Sequence, residues 1–370
     1  MSSQISTKKR RPKIEEIDVV RTICILAVVL IHATSYGTVE LAKGSTSHWG
    51  YYILNNLGAF AVPVFLLISG LVLFYNYFDE WDWKKSLTFY YKRVTSIAIP
   101  YLVFSLFYYL YNQWLAGGPV EFHPRYFLSL LKWSDAAYHL YYLIIIFQFY
   151  IVFPVFITLA KASKWFCRLL LPIGVAIQLT FYVLRFYGLT FNHTASLCVT
   201  YFGIFLLGAA IGVHYAKFIA WVQTNAKWIV PSALLMAVLH VGTFIASTYY
   251  GVRFTSQWWY GVYNLYAICA GIALLWLGTW VRKHMPLLMK CCVSVGKASF
   301  GIYLIHQALL SGYRTFIHPI NGTALAYHLY TMGSLIVSFG GAWLIIVLYH
   351  KGRQQLRATK PVTASAASKS

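Results

Sequence analysis

Acidic residues are scarce: the chain has nine Asp and Glu against 30 Lys and Arg in 370 residues. All nine lie at or before Asp135, as Glu15, Glu16, Asp18, Glu40, Asp79, Glu80, Asp82, Glu121 and Asp135. The second half therefore has no carboxylate relay, which argues against a cation-coupled transporter built on intramembrane acids. Cysteine frameworks are missing too. Cys24, Cys167, Cys198, Cys269, Cys291 and Cys292 form no Cys-x-x-Cys pair, and most lie in or beside apolar runs. That pattern predicts neither a disulfide framework nor a zinc or other metal site. Charge of either sign is sparse, at 11% of residues, where a soluble domain carries about 25%. No small-residue cleavage site follows the first apolar run, so that run is expected to stay as an anchor.

Apolar and aromatic residues fill the space. The chain is 59% hydrophobic and 18% aromatic, with mean hydropathy +0.61. This is the composition of a polytopic all-α membrane protein with interfacial aromatic belts. The net charge of +21 would suggest nucleic acid in a soluble protein. Here the cations sit in short loops between apolar runs, so membrane lipid headgroups are the nearer partner.

At about 20 apolar residues per crossing, ten spans are expected, in one bundle. They run roughly over 17–36, 57–78, 89–113, 138–160, 167–186, 196–215, 228–249, 258–281, 292–312 and 326–349. Residues 15–350 form the membrane domain, between a basic disordered tail over 1–14 and a second tail over 351–370. With the N-terminus inside, the inner loops hold Lys84, Lys85, Lys92, Arg93, Lys161, Lys164, Arg168, Lys217, Lys227, Arg282, Lys283 and Lys290. The outer ones hold only Lys43, Arg125, Lys132, Arg185, Arg253 and Arg314. This asymmetry predicts both termini in the cytoplasm.

The chemistry concentrates in Glu15–Tyr36. Arg21 and His32 are eleven residues apart, close to three helical turns, so both leave one face, roughly 16 Å apart along the axis. Asp18 falls on the same stripe one turn before Arg21. Ionisable groups inside a span are functional candidates, and an imidazole is the usual base for activating a hydroxyl. The alternatives are a snorkelling anchor at Arg21 and a packing histidine at His32.

Four further stretches stand out. In AVPVFLLISG (61–70), Ser69-Gly70 permits close backbone approach. Lys92, Arg93 and Pro100 open the third span, as a phosphate site or a topology signal. His139 begins the fourth span beside the belt residues Tyr138, Tyr141 and Tyr142, with Gln148 in its middle. His306 and Gln307 lie inside the ninth span. The loop near 114–137 adds Glu121, His123, Arg125 and Asp135, which suit either a sugar or solvent. His214 and His240 are read as structural.

These stretches, in this order, resemble acyltransferase family 3. Arg21 to His32 matches its Arg-x10-His motif, and VPVFLLISG, the Lys92-Arg93 entrance with Pro100, HLYYL (139–143) and SFGIYLIH (299–306) match its later helices. The resemblance spans about 15–350. Ser96 stands where the family often has a further arginine, and the hydrolase-like domain of some members is missing. The resemblance implies a multi-pass O-acyltransferase of a bacterial cell membrane with no bound cofactor. Its acyl donor would be acetyl-CoA or another acyl-CoA, its acceptor a cell-surface polysaccharide or lipid-linked glycan. It implies His32, Arg21 and Asp18 as catalytic, Arg21, Lys92 and Arg93 as donor-binding, and His139, Glu121 and His306 as acceptor-binding. A glycan exporter is the alternative, but the polar mid-span residues Gln148, Gln178, Asn264 and His306 are too few to mark a continuous path.

Overall fold

The computed structural model describes residues 11–317 and 323–358. Among the described residues there are helices and no strands. Eight helical stretches are long and apolar enough to cross a membrane: Glu16–Glu40, Thr46–Tyr77, Trp83–Leu115, Tyr138–Ala162, Ala226–Tyr250, Ser256–His284, Pro286–Phe316 and Ala324–Leu356. These answer to eight of the ten expected spans. The other two differ in form. The span expected over 167–186 is the 17-residue helix Leu170–Phe186, slightly short of the usual crossing length. The one expected over 196–215 is a pair, Cys198–Val213 and Tyr215–Thr224, bent by 99°. His214 leaves helical geometry at the bend, and the following helix carries the polar residues Lys217, Gln223 and Thr224, which a bilayer core would reject.

Six helices position the site: α1 (Glu16–Thr34), α2 (Ala61–Tyr77), α3 (Tyr141–Ala162), α4 (Phe202–Val213), α5 (Ser256–His284) and α6 (Pro286–Phe316). Helix α1 lies in their midst. Val20, Cys24, Ile25 and Val29 are fully buried. Its first turn carries Glu16 and Asp18, where negative charge meets the positive end of the helix dipole. Neighbours without side chains allow that turn to be buried. A Cβ on Gly278 of α5 would fall 2.7 Å from the Glu16 carbonyl oxygen, and one on Gly296 of α6 would fall 2.6 Å from that of Asp18. Glu16 accepts from the Tyr215 hydroxyl at 2.5 Å and pairs with Arg282 at 3.5 Å, so this buried acid is compensated.

Helices α2 and α4 touch backbone to backbone. A Cβ on Gly70 would sit 2.1 Å from the Phe205 carbonyl oxygen, on Gly208 1.9 Å from that of Leu67, and on Gly212 2.3 Å from that of Leu71. In lipid, where apolar surface alone drives little association, such small-residue contacts let dispersion hold helices together. The close approach expected at Gly70 is thus present, and its partner is the Gly208-xxx-Gly212 face.

The third expected span is irregular at its entrance. Val94–Ala98 is a π-helical turn, followed by Ile99–Leu115 with Pro100 in its first turn. Pro100 has no N–H to give the carbonyl one turn back, so the ladder widens there.

A part of each expected tail lies within the described residues. Arg11–Ile14 packs against the bundle: Ile14 is buried in the core and the Tyr75 hydroxyl donates to the Pro12 carbonyl at 3.0 Å. At the other end Ala342–Ala358 is helical, because an apolar span with helix-forming Arg, Gln and Leu after it has no reason to stop at 350. Residues 1–10 and 359–370, the rest of the expected tails, lie outside the described residues.

Candidate active site

Two cavities flank the polar face of α1. The one at the C-terminal end of α1, called outer after the expected topology, is about 690 Å³ and is lined by His32, Tyr36, Tyr138, Gln307, Ser311 and Arg314 among others. The one at its N-terminal end, called inner on the same expectation, is about 610 Å³ and is lined by Lys13, Asp18, Arg21, Ser69, Tyr142, Lys297 and Tyr303 among others. The three-turn spacing on α1 therefore does bring Arg21 and His32 out on one face, but into different chambers. Asp18 and Arg21 belong to the inner chamber and do not touch His32.

His32 is held from two sides. The Tyr138 hydroxyl lies 3.1 Å from its Nδ1 and donates to Gln307 Oε1 at 2.9 Å. A phenol has one proton. With that proton on Gln307, the phenol oxygen accepts from Nδ1–H, and the His32 Nε2 lone pair is left as a base. On the other side the His306 ring stacks against His32, with centroids 5.4 Å apart. His306 Nδ1 donates to the Tyr303 carbonyl at 2.8 Å. His139 stands edge-on to His306 at 5.2 Å. Both His139 and His306 are buried and line neither cavity. Their place is behind His32, not in contact with whatever fills the outer chamber.

Arg314 closes this end. Its Nη2 donates to the His32 carbonyl at 2.6 Å, and its guanidinium lies 3.7 Å over the Tyr36 ring. The last carbonyls of a helix lack intrahelical donors, so one cation caps α1 and charges the outer cavity.

The inner chamber is cationic. Asp18, fully buried, takes Lys13 Nζ at 2.6 Å and Arg21 at 3.5 Å. Lys297 adds a third cation. Three cations face one carboxylate, so two positive charges have no acid in the lining. Arg93 stacks on Phe89 and Tyr150 at 5.0 and 4.8 Å, and Tyr150 is part of the chamber wall. Lys92 is exposed and lines neither cavity. Ser69 lines the inner cavity, donating to the Phe65 carbonyl at 2.7 Å.

The rings of Tyr303, His139 and His306 connect the inner lining to His32. Tyr303 lines the inner one, and its ring lies 5.5 Å from His139 and 6.0 Å from His306. Its hydroxyl donates to the His139 carbonyl, and Tyr142 packs beside it at 5.6 Å. Glu121 stands elsewhere: it is exposed, faces His123 at 3.1 Å and lines neither cavity. No group of three or more His, Cys, Asp or Glu side chains is placed to hold a metal ion among the described residues.

Lys13, Lys297, Tyr138, Gln307 and Arg314 escaped the sequence reading as site residues. Two signals were present. Lys297 is a lone cation within an apolar span, as Arg21 is. Gln307, Ser311 and Arg314 follow a spacing of four and three, a polar stripe on one face of α6.

A bundle of apolar helices with an imidazole at one chamber and cations gathered in another defines a polytopic membrane protein. The chain matches the acyltransferase domain family (Acyl_transf_3) over residues 14–347 and belongs to that family. No curated protein and no solved structure matches it. It is a multi-pass membrane acyltransferase.

Proposed function

We propose that the protein moves an acyl group, acetyl in the first instance, from acyl-CoA in the inner chamber to a hydroxyl in the outer one. The acceptor is a cell-surface polysaccharide or a lipid-linked glycan, and the enzyme is an O-acetyltransferase of a bacterial cell membrane. One observation carries the reading: a cationic chamber and an imidazole-bearing chamber are linked through a chain of ring contacts, Tyr303 to His306 at 6.0 Å and His306 to His32 at 5.4 Å. Lys13, Arg21 and Lys297 suit the donor's phosphates. The thioester arm passes the Tyr142–Tyr303 layer toward His32.

In this scheme His32 Nε2 accepts the proton of the acceptor hydroxyl as its oxygen attacks the thioester carbonyl. The tetrahedral intermediate collapses, the C–S bond breaks, and the thiolate leaves with the proton from the imidazolium. Tyr138 and Gln307 hold the ring tautomer throughout, and Arg314 and Ser311 offer donors to the sugar. The test is thiol release from acetyl-CoA by the purified protein in detergent, with and without added glycan. An exporter consumes no acyl donor, so an absence of thiol release and of acylated product would favour export.

Arg21 is expected to bind donor and not merely to set topology. It lines the chamber and lies 3.5 Å from Asp18 through one nitrogen, which leaves other N–H groups of a planar fork for phosphate oxygens, a geometry that a lysine ammonium does not reproduce. Arg21→Lys should raise the donor KM about tenfold to a hundredfold, the worth of a charge-assisted contact. A KM equal to wild type in both Arg21→Lys and Arg21→Ala would reduce Arg21 to an anchor.

Both termini are proposed to be cytoplasmic. In a chain cleared of its native cysteines, Ser3→Cys and Arg353→Cys should react with an impermeant maleimide only after the membrane is opened. Labelling of one but not the other from outside intact cells would mean that the number of crossings is odd, with Leu170–Phe186 or the bent pair failing to cross; labelling of both would reverse the orientation.

A further inference from the structure

The N-terminal segment ahead of α1 does more than orient the chain. Topogenic cations need only stay in the inner water layer, yet Arg11 is fixed in place. It donates to both oxygens of Asp79, at 2.6 and 2.9 Å, and to the Gly212 carbonyl at 3.3 Å. Its guanidinium also lies 5.1 Å from the centre of the Tyr75 ring. Pro12 accepts from Tyr75, and Ile14 is buried in the core. Between these anchors Lys13 turns into the inner chamber and meets Asp18 at 2.6 Å. Arg11 and Asp79 line neither cavity.

We propose that Arg11–Ile14 is a strap forming part of the donor chamber. Lys13 is a phosphate-binding cation, and Arg11 with Asp79 is the latch that positions it. The inference rests on the donor reading above and adds a residue and a device to it. Its chemistry is recognition of phosphate. The nucleotide end of coenzyme A supplies phosphates, and so does an anionic lipid headgroup. Asp18 gives Lys13 a resting partner, so the ammonium is held near the chamber before a ligand arrives, which lowers the ordering cost on binding.

The experiment measures equilibrium binding of coenzyme A, and of pantetheine, which lacks the phosphates, to the purified full chain in neutral detergent. Lys13→Gln should weaken coenzyme A about tenfold and leave pantetheine unchanged. Arg11→Asp and Asp79→Arg should each weaken coenzyme A several-fold, about half the effect on the logarithmic scale. The exchange Arg11→Asp with Asp79→Arg should restore most of the loss, a rescue that general unfolding would not show. Wild-type affinity in a monodisperse Lys13→Gln protein overturns the strap while leaving the donor chamber standing. A double exchange that binds no better than the single changes overturns the latch. If wild type binds no coenzyme A, the donor reading itself falls. Competition of phosphatidylglycerol micelles with coenzyme A, lost in Lys13→Gln, would assign the cation to lipid and overturn the nucleotide assignment.

Discussion

His32→Ala is expected to lower acyl transfer by about 10² to 10⁴, the usual worth of a positioned general base, while insertion and donor binding stay near wild type. His32 is half-buried and borders open volume, so truncating it enlarges a cavity without unpacking a core. Its Nδ1 partner is not stranded, because the Tyr138 hydroxyl keeps Gln307 Oε1 at 2.9 Å. Arg314 holds the His32 backbone carbonyl, which alanine retains. The cations proposed for the donor, Lys13, Arg21 and Lys297, stand in the other chamber. The variant should thus separate chemistry from binding: unchanged coenzyme A affinity with a collapsed turnover. Thiol release and acylated product, measured together, check this. A monodisperse His32→Ala protein with wild-type turnover would remove His32 as the base and direct attention to the water-facing hydroxyls of the outer chamber.

Gly208→Leu is expected to prevent folding outright. An ideal Cβ at Gly208 lies 1.9 Å from the Leu67 carbonyl oxygen and 3.0 Å from the Leu71 nitrogen. These are backbone atoms of α2 and cannot swing aside as a side-chain tip would. Ordinary overpacking of a core costs about 1–3 kcal/mol because neighbours shift. Here the whole helix must move, and with it Gly70, whose own Cβ position is 2.1 Å from the Phe205 carbonyl oxygen. Against a total stability of roughly 5–15 kcal/mol, separating α2 from α4 removes much of what holds the bundle. Gly242, with nothing within 4 Å of its Cβ position, is the control: Gly242→Leu should purify as a monodisperse protein. Size-exclusion profiles in detergent check the pair. A monodisperse Gly208→Leu protein of wild-type thermal stability would mean the α2–α4 contact is not close-packed.

Much of this molecule can be read along the chain because the governing physics is local. A crossing needs an unbroken apolar stretch, since lipid offers no partner to a backbone N–H or C=O, and each of the ten expected spans falls on helix. Helical pitch alone put Asp18, Arg21 and His32 on one stripe, and the Asp18–Arg21 pair is formed at 3.5 Å. Gly70 announced a close contact without naming what it meets. The span expected over 196–215 ends at His214, where the chain bends by 99° between the Gly208 and Gly212 contacts with α2 and the polar stretch that follows.

What pitch cannot express is which helices meet. His32 and His306 stack although 274 residues separate them, and Tyr138, which reads as a belt tyrosine, turns to His32 because α3 starts beside the end of α1. Lys13 and Lys297 become neighbours of Arg21 only through the fold. Arg314 reads as an outer-loop charge until α6 delivers it to the open carbonyls of α1. The sequence by itself determined a basic, acid-poor bundle of apolar helices with an Arg–His face on the first, because hydrophobic length and helical period are properties of neighbouring residues. Only the tertiary structure decided that this face opens into two chambers, with Tyr303 and the buried His306 and His139 between Arg21 and His32, because a cavity is the volume that distant helices leave unfilled.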